Sequence, residues 1–161
     1  MHTSLHTPED FMRRAIRLSH DNMKRGVGGP FGAVIVKDGE IIGEGWNHVT
    51  SDNDPTAHAE VSAIRDACRR LGTFKLEGCD IYTSCEPCPM CLAAIYWAHI
   101  DRIFYANTQK DAAAIDFDDA FLYHEVALRR DERRIKSTRL LPEEALKVFK
   151  EWQDKKDKTP Y

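Results

Sequence analysis

The sequence predicts an α/β protein, a three-layer α/β/α sandwich built around a central mixed sheet. Three observations lead to this prediction. The central part of the chain follows the order β-β-α-β-α-β, which places helices on both faces of a sheet. The segments alternate between helical and strand periodicity. The 161 residues are 42% hydrophobic and include no repeat or Ser/Gly-rich linker, so residues 1–161 are expected to form one domain around one core.

The N-terminal part predicts one helix followed by a β-hairpin. Thr7 can act as an N-cap and Pro8 suits the first helical position, so a helix is expected to run to about Lys24. The glycine-rich stretch GVGGP ends it. Residues 33–37 and 40–46 then form two strands joined by a tight Asp-Gly turn.

Helices and strands alternate through the middle of the chain. Apolar residues recur at helical spacing from Ala57 to Leu71, and Gly72 follows where a left-handed C-terminal residue is expected. A strand, a helix, another strand and a last helix are predicted at residues 79–83, 87–98, 102–106 and 142–153. Residues 111–141 show no clear pattern, and a charged tail ends the chain.

Composition argues against a nucleic acid or a membrane as the main partner. The formal net charge is −3 at pH 7, whereas nucleic-acid-binding proteins usually present a basic face. No segment approaches the roughly 18 apolar residues that a membrane span requires, and the N-terminus lacks the apolar core of a signal peptide. We therefore expect a cytoplasmic protein.

Three of the five cysteines lie in the stretch SCEPCPMC, residues 84–91. An odd number of closely spaced cysteines is unfavourable for a disulfide framework. Cys88 and Cys91 have the spacing that places two sulfur atoms about one turn apart on the same side of a starting helix, close enough to share one ion. The positive end of the helix dipole stabilises the thiolate form that a metal needs. The pair alone is also compatible with a redox site or half of a structural zinc site.

An upstream His-x-Glu motif indicates a catalytic metal site. His58 and Glu60, followed by Pro87, Cys88 and Cys91, match the signature of zinc-dependent nucleobase deaminases. One imidazole and two thiolates leave the fourth tetrahedral position to water, and Glu60 remains free to act as a base. Because residues two apart in a helix point in nearly opposite directions, His58 and Glu60 are expected to converge only in the first turn of a helix.

Other uses of the cysteines are possible. An iron–sulfur cluster of the expected spacing would need a fourth cysteine where the chain has Ile95. Cys68 lies on the apolar face of its helix and is predicted to belong to the core. A structural zinc site with four thiolate ligands could be formed by Cys79, Cys85, Cys88 and Cys91.

Five features spread over nearly the whole chain resemble one known family. They are GGPFGAVIVKDG (28–39), NDPTAHAE (53–60), YTSCEPCPMCLAAIYWA (82–98), FDDAF (117–121) and a terminal tyrosine. The zinc motif resembles the cytidine-deaminase-like superfamily, and AIYWA, FDD and the tyrosine are similar to its small bacterial guanine deaminases. The resemblance implies the cytidine-deaminase-like fold and one zinc ion per chain, bound by His58, Cys88 and Cys91, with Glu60 moving protons.

The same resemblance implies a set of substrate-binding residues. Asn47 is expected to hold the ring, Phe31 to contact the base and Ala59 to contribute to the same site. Asp119 is expected to lie near the departing amino group. Tyr161 is expected to close the site.

The resemblance also implies a homodimer that is domain-swapped through its C-terminus. In such a dimer, the tail at residues 154–161 closes the site of the partner subunit, and Tyr161 is the closing residue. From composition alone, the same tail would be interpreted as solvated and frayed.

The implied reaction is the hydrolytic deamination of guanine to xanthine and ammonia. Hydroxide attacks C2, and Glu60 takes the proton of water, delivers it to N3 and assists departure of the amine. Guanosine, cytidine and an aminated triazine remain alternative substrates, as does tRNA adenosine. A non-enzymatic structural zinc module is the alternative from another class.

Overall fold

The computed structural model describes residues 6–161. Its elements follow one another as α1 (Pro8–Lys24), β1 (Gly32–Lys37), β2 (Glu40–Trp46), α2 (Val49–Asp52), α3 (Ala59–Leu71), β3 (Cys79–Cys85), α4 (Pro89–Trp97), β4 (Arg102–Asn107), α5 (Gln109–Ala113), α6 (Ala120–Ala127) and α7 (Pro142–Asp154). The predicted β-β-α-β-α-β order is confirmed, with the short helix α2 added between β2 and α3.

The four strands form one mixed sheet in the order β2-β1-β3-β4. Strand β1 pairs antiparallel with both β2 and β3, while β3 and β4 are parallel. The β1–β2 hairpin turns at Asp38 and Gly39, whose φ angles of 50° and 78° are both positive, as an Asp-Gly turn of type I′ requires. The parallel pair places the C-terminal ends of β3 and β4 at the same edge of the sheet.

Each face of the sheet has its own core. Alternate residues of β1 point to opposite faces, so Ala33 and Ile35 pack with α3 and α4, and Val34 and Val36 pack on the side of α1. All four side chains are buried. The predicted three-layer α/β/α sandwich is therefore confirmed.

Helix α1 covers one face through an apolar stripe. Thr7 and Asp10 form a reciprocal capping box at its start, as the N-terminal pattern predicts. Phe11 contacts the ring of Tyr82, which stacks on Phe104 with ring centroids 4.6 Å apart. Aromatic burial of this kind anchors α1 across the two parallel strands.

Strand β2 and helix α3 lie unusually close on the other face. A Cβ atom added at Gly45 would lie 2.3 Å from the carbonyl oxygen of Ala59 and 2.3 Å from the amide nitrogen of Ala63. Only glycine allows this approach. Glycine at this position therefore fixes the first turn of α3 directly against the sheet.

The helix boundaries differ from the sequence prediction at two informative places. Helix α3 begins at Ala59 rather than near Ala57, and α4 begins at Pro89 rather than Pro87. In both cases the residue just before the helix, His58 or Cys88, has an extended backbone and acts as the N-cap.

The C-terminal third differs in character from the sandwich. Helices α5 and α6 occupy part of the segment for which the sequence shows no clear pattern, and α7 confirms the predicted last helix. Neither α6 nor α7 has a buried residue. Within residues 6–161, no helix has the length and apolar character required to cross a membrane.

Candidate active site

Three potential metal ligands meet between α3 and α4. The Nδ1 atom of His58 lies 3.6 Å from Sγ of Cys88 and 3.5 Å from Sγ of Cys91. The three ligand atoms all lie within 4.8 Å of one another. For a tetrahedral zinc ion, Zn–S and Zn–N bonds of about 2.3 and 2.0 Å separate nitrogen from sulfur by about 3.5 Å. The donor set and its spacing therefore fit zinc, with one coordination position left for a non-protein ligand.

The N-termini of two helices produce this convergence. His58 is the N-cap of α3 and Cys88 is the N-cap of α4, and neither helix start has a side-chain cap. The positive ends of both helix dipoles are therefore directed at the same place, where they favour negative charge. Cys91 lies in the first turn of α4, fully buried beneath the other two ligands.

One thiol of the cysteine pair, that of Cys88, is poised to ionise. A hydrogen bond from the Cys91 thiol lowers the pKa of Cys88 to about 4, and a hydrogen bond from His58 contributes to a lesser extent. The same hydrogen bond to Cys88, together with burial, raises the pKa of Cys91. The hydrogen bond to Cys88 also raises the pKa of His58. One thiolate therefore forms readily here, and thiolate is the form of cysteine that binds metals.

Glu60 is a buried carboxylic acid beside these three residues. Its side chain is 6% exposed, and Oε1 accepts a hydrogen bond from Oγ1 of Thr83 at 3.3 Å. Burial raises the pKa of Glu60. His58 and Glu60 occupy the N-cap and the first turn of α3, as their convergence requires.

The alternative arrangements of cysteines do not form. Cys79 and Cys85 begin and end β3, so they are about 20 Å apart at the rise of an extended strand. They cannot share an ion, and the four-thiolate alternative is wrong. Burial raises the pKa of Cys85 to about 11, and Cys68 packs against the core as predicted. All five cysteines are free thiols.

A cavity of about 410 Å³ opens beside the potential ligands. Most of the residues singled out in the sequence line it, namely Phe31, Asn47, His58, Ala59, Glu60, Cys88 and Asp119. They come from the loop after α1, the end of β2, the start of α3, the β3–α4 connection and the segment before α6. Residues far apart in the chain are thus brought to one side of the sheet.

Asn47 presents a hydrogen-bond donor to this cavity. The residue is buried, and its Oδ1 accepts hydrogen bonds from the backbone N–H groups of Gly29 and Val49, each at 3.2 Å. The carboxamide oxygen is thereby engaged by the protein. The Nδ2 amine is the part of the side chain that remains for a bound molecule.

Aromatic rings form another wall of the cavity. Phe31 and Phe117 meet edge to face, with centroids 5.0 Å apart and an interplanar angle of 87°. A Cβ atom at Gly29 would lie 3.3 Å from both rings, so the glycine lets them approach the backbone. Sequence reasoning did not identify Phe117, although the motif FDDAF contains it.

The two neighbouring aspartates of that motif have different environments. Asp118 is exposed, and its Oδ1 accepts a hydrogen bond from the backbone N–H of Ala120 at 2.9 Å. Asp119 lines the cavity, and its Oδ1 is buried with no hydrogen-bond partner among the described residues. Burial raises the pKa of Asp119. An unpartnered buried carboxyl oxygen is suited to receive a donor from a bound molecule.

Tyr161 does not line the cavity of its own chain. Its ring lies 6.2 Å from that of Trp97 and 6.4 Å from that of Phe74, measured between centroids, and the residue is 75% exposed. The structure therefore separates Tyr161 from the other predicted site residues. Its action on a partner subunit remains a prediction.

Residues 5–107 match the family of the cytidine and deoxycytidylate deaminase zinc-binding region, and the chain belongs to that family. The fold and the His/Cys/Cys group agree with this assignment. The class of protein predicted from the sequence, a zinc-dependent deaminase, is confirmed.

Similarity to individual proteins extends over different parts of the chain. Guanine deaminase of Bacillus subtilis is 52% identical in sequence over 95% of this chain and 98% of its own. Its crystal structure superimposes on this chain with a TM-score of 0.94 and 51% sequence identity, and the match covers 97% of this chain and 99% of that one. Guanine deaminase of Nitrosomonas europaea has a TM-score of 0.68 at 32% identity, covering 72% and 67%. The tRNA-specific adenosine deaminase of Aquifex aeolicus is 44% identical over 63% of this chain and 67% of its own.

Proposed function

We propose that this protein deaminates guanine hydrolytically to xanthine and ammonia. The observation that carries the proposal is one cavity that combines a zinc-type ligand set, a buried general base and two polar groups suited to the edge of a guanine ring. The extensive likeness to guanine deaminase of Bacillus subtilis supports the same substrate, since it includes the C-terminal third of the chain.

The cavity suits a small planar molecule. Its volume of about 410 Å³ lies within the usual range of small-molecule sites. Phe31 and Phe117 offer aromatic surface, and aromatic walls favour a flat heterocycle. Asn47 and Asp119 supply the few oriented polar groups that fix such a ligand.

The chemistry divides between the metal and Glu60. His58, Cys88 and Cys91 would hold a zinc ion, which would supply Lewis-acid activation of water at neutral pH. Glu60 accepts the proton released from that water and delivers it to N3 of guanine. The C2–O bond forms; Glu60 then takes the proton of the new C2 hydroxyl and gives it to the amino nitrogen, the C2–N bond breaks, and ammonia leaves as the C2 carbonyl of xanthine forms. Burial, by raising the pKa of Glu60, increases its proton affinity and suits it to both accept and return a proton.

Asn47 and Asp119 favour the ring edge of guanine over that of adenine. The Nδ2 amine of Asn47 is a donor and suits one of the acceptor atoms of the ring. Asp119, as a carboxylate, suits the adjacent N–H donors at N1 and the exocyclic amine of guanine. The ring edge of adenine carries an acceptor at N1, so a carboxylate there would disfavour it.

Electrostatics disfavours tRNA as the substrate. Four aspartates, Asp111, Asp116, Asp118 and Asp119, lie within nine residues at or near the cavity mouth. A phosphate backbone would be repelled by this cluster, and the net charge of −3 offers no compensating attraction. Substrates smaller than a nucleic acid are therefore favoured.

We further propose that the protein is a homodimer whose C-terminal segments exchange. One face of α7 carries apolar residues at helical spacing, and all of them are exposed, namely Ala145, Val148, Phe149 and Trp152. On the sandwich, Tyr96 and Trp97 are also largely exposed. Apolar surface of this extent on an isolated chain is typical of an interface. A second copy covers it, and its tail at residues 154–161 brings Tyr161 over the cavity.

The five free thiols favour a reducing compartment, which is consistent with a purine-processing enzyme of the cytoplasm.

Ammonia release from a substrate panel tests the proposed function. The zinc-loaded protein is incubated with guanine, guanosine, adenine, cytidine, cytosine and simple aminotriazines and, in a separate reaction, with tRNA. We expect release from guanine well above that from the other compounds. Release from adenosine in tRNA alone, or from none of the panel with one zinc per chain, would reject guanine as the substrate.

A further inference from the structure

A hydrogen bond links helix α6 to the loop that carries the cysteines. The phenolic O–H of Tyr123 donates to the carbonyl oxygen of Pro87 at 2.7 Å. Pro87 directly precedes Cys88, the N-cap of α4. Tyr123 is itself partly buried, so this bond is shielded from water and its geometry is held more firmly than that of a surface contact.

Tyr123 is also linked to Asp119 through the backbone. The N–H of Tyr123 donates to the carbonyl oxygen of Asp119 at 3.1 Å, which is the first hydrogen bond of α6, and Asp119 is the N-cap of that helix. The side chain of Tyr123 therefore holds the loop at Pro87, while its backbone holds Asp119. Together the two bonds form a short bridge from the cysteine loop to Asp119.

Helix α6 has little else to fix it against the sandwich. None of its residues is buried, and Arg133 contacts its far end by donating to the carbonyl oxygens of Glu125 and Val126. The N-cap Asp119 has no side-chain cap bond, and its Oδ1 has no partner among the described residues. The orientation of Asp119 thus depends on how the start of α6 is held.

We propose that Tyr123 is a positioning residue that holds Asp119 over the cavity through its hydrogen bond to Pro87. This inference rests on the proposed function, in which Asp119 meets the amino group of the substrate. Tyr123 does not line the cavity, so its effect on turnover passes through Asp119. A displacement of about 1 Å in such a group can lower turnover by as much as about 10²-fold.

Tyr123→Phe tests this role because it removes only the hydroxyl group. We expect kcat for guanine to fall about 10-fold or more and KM to rise, because Asp119 also binds the ring, with zinc content unchanged and the melting temperature lowered by no more than a few degrees. The matched control is Tyr105→Phe, which removes a phenolic hydroxyl from a half-exposed residue of β4 away from the cavity. The control is expected to retain wild-type kinetics.

A double-mutant cycle with Asp119→Asn separates positioning from a general loss of structure. If Tyr123 acts through Asp119, Tyr123→Phe will lower kcat in the wild-type background and have little further effect in the Asp119→Asn background. Equal losses in both backgrounds, loss of zinc, or unchanged turnover in Tyr123→Phe would overturn the inference while the proposed function stands. Absence of guanine turnover in the wild-type protein would overturn both.

Discussion

At the scale of single residues, Glu60 combines three properties that a proton carrier needs. It is buried, it lies in the same helical turn as His58, and Thr83 holds one of its oxygens. In the proposed reaction, burial raises the pKa of Glu60, which makes it a stronger base and keeps the accepted proton on the carboxyl group until the ring nitrogen takes it. Of the acidic residues that line the cavity, Glu60 alone is buried.

Glu60→Gln is therefore expected to bind zinc and lose turnover. The amide keeps the shape of the side chain but cannot carry the proton, so ammonia release from guanine should fall at least about 10²-fold. Elemental analysis measures the zinc, which should stay near one ion per chain. Glu77→Gln, an exposed glutamate with a side chain 67% accessible, is the control and should behave as wild type. Near wild-type turnover in Glu60→Gln would mean that another group moves the proton.

Asn47→Asp tests the donor role of the carboxamide. An aspartate retains an oxygen for the backbone N–H groups of Gly29 and Val49, but replaces the Nδ2 donor by a second acceptor. The KM for guanine should rise about 10-fold or more, since a buried acceptor left unpaired costs about 1–3 kcal/mol. Steady-state kinetics measures this change. Asn53→Asp, at an exposed left-handed position, is the control, and an equal KM in all three proteins would exclude Asn47 from substrate binding.

The sequence predicts some site residues better than others, for a physical reason. His58, Glu60, Cys88 and Cys91 are recognisable because metal ligation restricts residue type and spacing together. Phe117 and Tyr123 carry no such signal. An aromatic wall and a side-chain-to-backbone hydrogen bond depend on tertiary placement, and the same residues in another fold would be ordinary surface or core.

At the scale of elements, the site is made by where α3 and α4 begin. Both helices start one residue after a potential ligand, so the ligands point across the helix ends rather than along the helix sides. Strand β2 sets the position of α3 by backbone contact at Gly45. The packing of strand on helix is thus coupled to the geometry of the metal site.

Gly45→Ala is expected to damage both stability and metal binding. The added methyl group would meet the backbone of Ala59 and Ala63 at 2.3 Å, so α3 must move away from the sheet at a cost of about 1–3 kcal/mol or more. Thermal unfolding and zinc analysis measure the two effects. The control is Gly39→Ala at the hairpin turn, where φ is 78° and the space around Cβ is open. That change costs about 1–2 kcal/mol of backbone strain but should leave zinc and turnover intact, whereas wild-type zinc content in Gly45→Ala would contradict this coupling.

The helices and strands also differ in how well the hydrophobic periodicity of their sequences predicts them. Helices α1 and α3 and strands β1 and β3 bury one face or both, so their hydrophobic pattern is strong and their order follows from the sequence. Helices α5 and α6 are mainly exposed. Their sequences therefore lack the contrast between a buried and a solvated face, and the segment from residue 111 to 141 gives no clear pattern.

At the scale of the whole molecule, the proposed second copy accounts for the exposed apolar surface of the C-terminal third. An exposed apolar face on α7 and exposed aromatic residues on α4 are unfavourable in water. The proposed exchange of C-terminal segments covers both and brings Tyr161 to the cavity from which it is absent within one chain. The helical spacing of apolar residues in α7 predicts a covered face but does not identify what covers it, and a second copy is what the resemblance to guanine deaminases implies.

Phe149→Glu tests the proposed dimer. Phe149 is 74% exposed on α7, and a charge in an apolar interface should favour dissociation. Sedimentation velocity is expected to show a dimer for the wild-type protein and a shift toward monomer for the variant, with reduced guanine turnover. Lys150→Glu changes a polar position of the same helix and serves as the control. A monomeric wild-type protein with full activity would reject the exchange.

The most direct test of the central claim follows the oxygen atom that enters the product. The zinc-loaded protein converts guanine in water labelled with ¹⁸O, and mass spectrometry and an ammonia assay quantify the products. The account predicts one labelled oxygen in each xanthine and one ammonia per xanthine. It also predicts that Glu60→Gln and protein stripped of zinc form both products at least about 10²-fold more slowly than the intact enzyme. If the zinc-loaded protein left guanine unchanged, or Glu60→Gln and the stripped protein produced labelled xanthine at the wild-type rate, the function assigned to this cavity would be wrong.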